Sequence, residues 1–267
     1  MRWQDLRRSS NVENRRGMGA GKAVGGAGGV FLMAFVVYLL GGNPMPLLME
    51  GVSRTVQTSA SRPSALTEEQ QAEQADFSSA VLGATEDVWQ NIFRQNGQSY
   101  PSPRMVLFAG ATDTGCGTGQ SAMGPFYCPN DQSIYLDLDF FHDLDKRMGA
   151  PGDFARAYVI AHEVGHHVQN VQGLLSKRRT NADSVRIELM ADCYAGVWAN
   201  HIQEFGALED GDLEEAINAA AQVGDDRLQE KSQGYAVPDS FTHGSSKQRM
   251  AAFKKGFETG QPTSCKF

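Results

Sequence analysis

Cysteine is scarce in this 267-residue chain, with four residues at positions 116, 128, 193 and 265. None falls in a Cys-x-x-Cys pair, so a cysteine zinc knuckle is excluded. The Gly-rich stretch from Gly110 to Gly124 is followed by no Lys-Ser/Thr and opens no helix, so it is not a phosphate loop. Positive charge is lacking over most of the chain. The formal net charge is −7, and residues 1–22 carry six Lys/Arg against Asp5 and Glu13, or +4, leaving −11 for the rest. An acidic body of this kind argues against nucleic acid as a partner. Long runs free of both charge and strongly polar groups are also absent, with one exception at residues 23–40.

Histidine is scarce as well, and its placement is informative. Three of the six residues fall at 162, 166 and 167, inside the apolar run Ala157-Tyr-Val-Ile-Ala-His162-Glu163-Val-Gly-His166-His167-Val-Gln169. On an α-helix His162 and His166 lie one turn apart on one face, so both imidazoles can reach one Zn²⁺ at about 2.0–2.1 Å. Glu163 sits roughly 100° further round, where it can take a proton from a water at the metal. His167 points as far off the ligand face and is not counted. Tyr158, Val159, Ile160, Ala161, Val164 and Val168 supply the apolar sides of a buried helix.

A second helical run, Val185-Arg-Ile-Glu188-Leu-Met-Ala191-Asp192-Cys-Tyr-Ala-Gly-Val-Trp198, opens after a cap at Asn181 or Asp183. Glu188 and Asp192 form another i, i+4 pair. Two carboxylates facing an apolar core are costly unless paired or metal-bound. Glu188 is therefore the candidate third ligand, and Asp192 the carboxylate that accepts the N–H of a ligating histidine.

His-Glu-x-x-His followed by Glu-x-x-Ala-Asp resembles the gluzincin metallopeptidases. Thr242-His243-Gly-Ser-Ser-Lys-Gln-Arg249-Met resembles a segment of the membrane-associated members of that group, with Gly244 where they carry Pro. Over its whole length the chain is similar to the bacterial family called putative neutral zinc metallopeptidases. The resemblance runs through the Met-Arg-Trp-Gln start, Gly115-Cys-Gly-x-Gly119, Gly124-Pro-Phe-Tyr-Cys-Pro129 and Pro238-Asp-Ser-Phe-Thr-His243. It implies an α+β, zincin-like domain, mainly helical with a small β-sheet. It also implies zinc held by His162, His166 and Glu188, and His243 and Arg249 in the catalytic cleft.

Residues 23–40 reach about 27 Å as a helix, enough to span a hydrocarbon core. With the arginines before it, the run predicts a transmembrane helix over 23–41 and a basic cytoplasmic tail over 1–22. A signal peptide is the rival, but no small-x-small cleavage site follows. Residues 42–66 read as a linker and 67–267 as the metallopeptidase domain, placed outside the cytoplasmic membrane. Thr67-Glu-Glu-Gln70 is a capping box for a helix running to about Asn96. Arg104–Phe108 and the alternating Ser133–Phe140 are strand candidates, the second half-buried. Asp153 is expected to cap the helix carrying His162, Asp212-Leu-Glu-Glu215 to cap another that runs to about Val223 and ends at Gly224-Asp-Asp226, and Ser245 to open the last. Four cysteines allow three pairings. Cys116–Cys128 closes a short loop, which would leave Cys193–Cys265 to tie down the C-terminus.

The expectation is a membrane-anchored zinc endopeptidase acting on peptide or protein substrates. Glu163 is the general base for a zinc-activated water, and His243 hydrogen-bonds the oxyanion. Arg249 would orient Glu188 or Asp192. The alternative is a membrane-tethered scaffold whose zinc is structural, and the intact Glu163 counts against it.

Overall fold

The computed structural model describes residues 1–16, 64–175 and 180–267. The expected transmembrane helix and most of the linker lie outside these residues. Among the described residues, no helix is long and apolar enough to cross a membrane.

A mixed, helix-rich α+β arrangement results. Strand β1 (Val12–Asn14) precedes the long helix α1 (Glu68–Gln95). Strands β2 (Arg104–Phe108), β3 (Ala111–Thr114), β4 (Gly117–Gln120), β5 (Phe126–Cys128) and β6 (Ser133–Asp137) follow. The remaining helices are α2 (Asp139–Asp143), α3 (Asp153–Val171), α4 (Asn181–Glu204), α5 (Asp212–Gln222), α6 (Asp225–Gln233) and α7 (Ser246–Thr259). The main sheet has the order β1-β2-β6-β5, and β3-β4 form a separate hairpin. β1, β2 and β6 run parallel, while β5 is antiparallel on the edge.

Local chemistry explains most boundaries. Thr67 and Gln70 make the reciprocal capping box at α1, and Ser245 and Gln248 make the same box at α7. Helix α4 is capped by Thr180, whose side chain pairs with Asp183 across the first turn. Two expectations need correction and a third needs an addition. Strand β6 ends at Asp137 and is buried on both faces. It is an interior strand: Phe126 stacks on Tyr135 at 5.1 Å, and Asp137 is engaged by the Gly110 amide at 3.1 Å and by Ser121. Asp153 and Asp212 are the first helical residues of α3 and α5, not their caps, because glycines precede them there. Gly224-Asp-Asp226 follows the end of α5 at Gln222, as expected of a helix stop, and also opens a new helix, α6.

The expected basic tail is also different over its described part. Residues 1–16 lie on the domain, with β1 forming one edge of the main sheet.

Helices α3, α4 and α7 form the centre, with α5 and α1 packed on α3. Two close approaches set their spacing. A Cβ on Gly165 of α3 would meet the Ala191 carbonyl oxygen at 2.9 Å, and one on Gly256 of α7 would overlap the Cys193 carbonyl. Both cysteine pairs form: Cys116–Cys128 staples the β3-β4 hairpin to β5, and Cys193–Cys265 ties the C-terminus to α4.

Candidate metal centre

Helix α3 delivers His162, Glu163 and His166, and α4 delivers Glu188 and Asp192, where the two helices come closest at Gly165 and Ala191. His162, His166 and Glu188 are all buried and offer ligand atoms within 4.8 Å of one another, so the group could hold a metal ion. The Glu188 Oε2 atom lies 3.2 Å from His162 Nε2 and 3.3 Å from His166 Nε2. Donors at about 2.0–2.1 Å from one tetrahedral ion are separated by roughly 3.3 Å, so this spacing suits zinc.

The outer hydrogen bonds of the two rings decide which nitrogens carry protons. His162 Nδ1 donates to Asp192 Oδ1 at 2.8 Å. His166 Nδ1 faces Gln169 Oε1 at 3.0 Å. The Gln169 amide can turn only one way, because its Nε2 donates to the Ile187 carbonyl at 2.6 Å. Both histidines therefore carry a proton on Nδ1, which leaves Nε2 as the atom each could offer to a metal. Three buried ligand atoms converging in this way could hold a cation, and the donor set fits zinc.

Asp192 is completely buried and is the hub behind the triad. It accepts from Tyr158 at 2.5 Å and from Arg249 Nε and Nη2 at 2.8 and 2.9 Å. Burial raises its pKa, but Arg249 and His162 outweigh that and hold it at about 2. Burial likewise lowers the pKa of His162, and Asp192 and Glu188 overturn this and push it up to about 9. Glu188 is held well below the usual carboxylate range, since His166 and His162 outweigh its burial.

A cavity of about 1940 Å³ opens over the triad and is lined by Glu163, His243 and Arg249 as well as by the three candidate ligands. The turn carrying His243 is wrapped round Asp225: the amides of Thr242, His243 and Gly244 all donate to its Oδ2 at 2.7–3.0 Å. His243 Nδ1 lies 3.1 Å from Asp225 Oδ1, and this bond raises its pKa above the usual value.

All seven candidate site residues border or back this one cavity. Arg249 bonds to Asp192, not directly to Glu188. Sequence reasoning missed Gln169, Tyr158 and Asp225. Gln169 follows His166 by three positions on the same helix, a signal that was present. Tyr158 read as apolar bulk, and Asp225 as a helix stop. His167 serves structure: its ring bridges Tyr127 OH at 3.0 Å and the Pro101 carbonyl at 2.6 Å, tying α3 to the β5 edge.

Two ring nitrogens and a carboxylate oxygen, backed by Asp192 and Gln169, form a buried group that could hold a metal ion, a donor set that metal-dependent hydrolases use. The chain belongs to the family described as "Putative neutral zinc metallopeptidase", whose sequence model matches residues 1–267. It is 48% identical to the uncharacterized protein YpfJ of Escherichia coli (strain K12), over 99% of this chain and 98% of that protein. It is 42% identical to the uncharacterized protein Rv2575 of Mycobacterium tuberculosis (strain ATCC 25618 / H37Rv), over 70% of this chain and 68% of that protein. No solved structure matches the chain.

Proposed function

We propose that this chain is a zinc-dependent endopeptidase of zincin-like fold, acting on peptide or protein substrates and anchored to a membrane through the apolar run at 23–40. The observation that carries the reading is the convergence of three buried lone-pair donors beside Glu163, in a cavity large enough for a peptide segment.

His162, His166 and Glu188 would hold the ion, which when bound supplies Lewis acidity towards a water and a carbonyl oxygen. Glu163 takes the proton from the attacking water and returns it to the leaving amine. His243 donates a hydrogen bond to the carbonyl oxygen as negative charge develops there, a contact worth about 3–4 kcal/mol in comparable sites. Asp192 and Gln169 keep the two rings in the orientation and tautomer that binding requires. Arg249 neutralises Asp192, so the buried carboxylate is not left uncompensated.

The test uses the full chain, a diverse peptide library, chelator and zinc. Cleavage is expected, with loss on chelation and recovery on adding zinc. Glu163→Gln should retain stoichiometric metal and lose about 10²–10⁴-fold in kcat. Stoichiometric zinc with no cleavage by either form would favour the scaffold alternative.

A further inference from the structure

The arginines of residues 1–16 read in sequence as a cytoplasmic flank for the apolar run. In the fold they are spent on the domain. Arg8 makes a two-pronged pair with Asp76 of α1 at 2.6 and 2.9 Å, and its guanidinium lies over Trp3. Arg7 pairs with Glu86 and Asp87 at 2.8 Å each. Glu86 is only 3% exposed, and its other oxygen accepts from Ser9 and Asn11 at 2.7 Å each. Without the segment this carboxylate would sit in the interior with none of these partners.

The backbone is engaged as thoroughly. Ser9 donates to the Ser79 carbonyl at 2.9 Å, Met105 to the Asn11 carbonyl at 2.8 Å, and Arg15 to the Leu107 carbonyl at 2.7 Å. Val12, Glu13 and Asn14 pair in parallel register with Met105, Val106 and Leu107. Helix α1 carries Gly83 where the segment crosses it, and a Cβ there would run into the Arg7 carbonyl. Trp3 packs edge-on against the core residue Phe77 at 5.5 Å.

The two ends of the intervening chain also border the same cavity. Arg16 donates to the Gln71 carbonyl at 3.1 Å, Ser64 bonds to Asp139, and both Arg16 and Ser64 border the cavity over the metal triad.

We infer that residues 1–16 and residues 64–267 form one folded unit and lie on the same side of any membrane the protein meets. An odd number of crossings between Arg16 and Ser64 would tear β1 from β2 and strand Glu86. The cytoplasmic tail expected from the arginine flank is therefore replaced by an N-terminal segment that accompanies the metal site. This holds whether or not the site is a peptidase.

The test is sidedness of the full chain in cells. All four native cysteines are in disulfides, so Ser10→Cys and Glu258→Cys each add the sole thiol, at exposed positions far from the site. A membrane-impermeant maleimide is applied to intact and to lysed spheroplasts. Both positions should behave alike, either both labelled in intact cells or both labelled only after lysis. Labelling of one position alone in intact cells would overturn the inference. A second measurement needs no variant. In hydrogen exchange of the purified full chain, the Ser9 and Arg15 amides should exchange as slowly as Met105. Exchange at the rate of unstructured peptide would overturn it as well.

Discussion

Gln169 is the residue whose removal separates ring positioning from ligation. Gln169→Met keeps the volume but loses the bonds to His166 and Ile187. Metal affinity is expected to fall about 10–100-fold, read by competition with a chelator, with the circular dichroism spectrum unchanged. The His243–Asp225 pair makes a pH prediction. Asp225 raises the His243 pKa, so the stabilisation from this pair is complete below about pH 6.5 and is lost as pH rises through the higher folded value. In Asp225→Asn the NMR titration midpoint of His243 should drop towards the free value. At this scale the ligand pair was legible because helical periodicity alone stacks positions 162 and 166. Asp225 was not legible, since it reaches the His243 turn from another helix and only tertiary structure joins them.

The helices position the site through contact without side chains. Gly165 lets α3 approach α4 at Ala191, one turn from Glu188, and Gly256 lets α7 lie on α4 at Cys193. Gly256→Ala should cost at least about 1–3 kcal/mol by urea unfolding, because the methyl group meets backbone that cannot rotate away. Gly165→Ala should lower stability and also weaken metal binding, since it moves Glu188 relative to both rings. Helix starts were legible where the cap is local, as at Thr67 and Ser245. Asp153 and Asp212 carry the same signature at the front of a helix, yet both bind the Met1 ammonium, at 2.8 and 3.0 Å. An acidic first turn looks identical in sequence whether it caps or reaches a distant cation. The alternation in 133–140 suggested an open face, but the loop around Ser121 and the edge strand β5 cover it.

Across the whole molecule, the two disulfides differ in the span they close, with sequence separations of 12 and 72. By loop-closure entropy, replacing Cys193 and Cys265 with alanine should cost about 1–2 kcal/mol more than the same change at Cys116 and Cys128, measured by urea unfolding. The helix-rich α+β class was legible through the family resemblance, and single helices and strands through their patterning. The place of residues 1–16 was not, because an arginine cluster beside an apolar run carries a strong membrane signal of its own, and its carboxylate partners are scattered from Asp76 to Asp87. That placement has a consequence for biosynthesis. The Arg2 amide bonds to the Ala207 carbonyl, and β1 must wait for β2 nearly a hundred positions later. At about 5–20 residues per second, Arg2 waits about 10–40 s for Ala207 to be made. The Arg2 end of the segment thus docks long after its own synthesis, well after β1 has met β2.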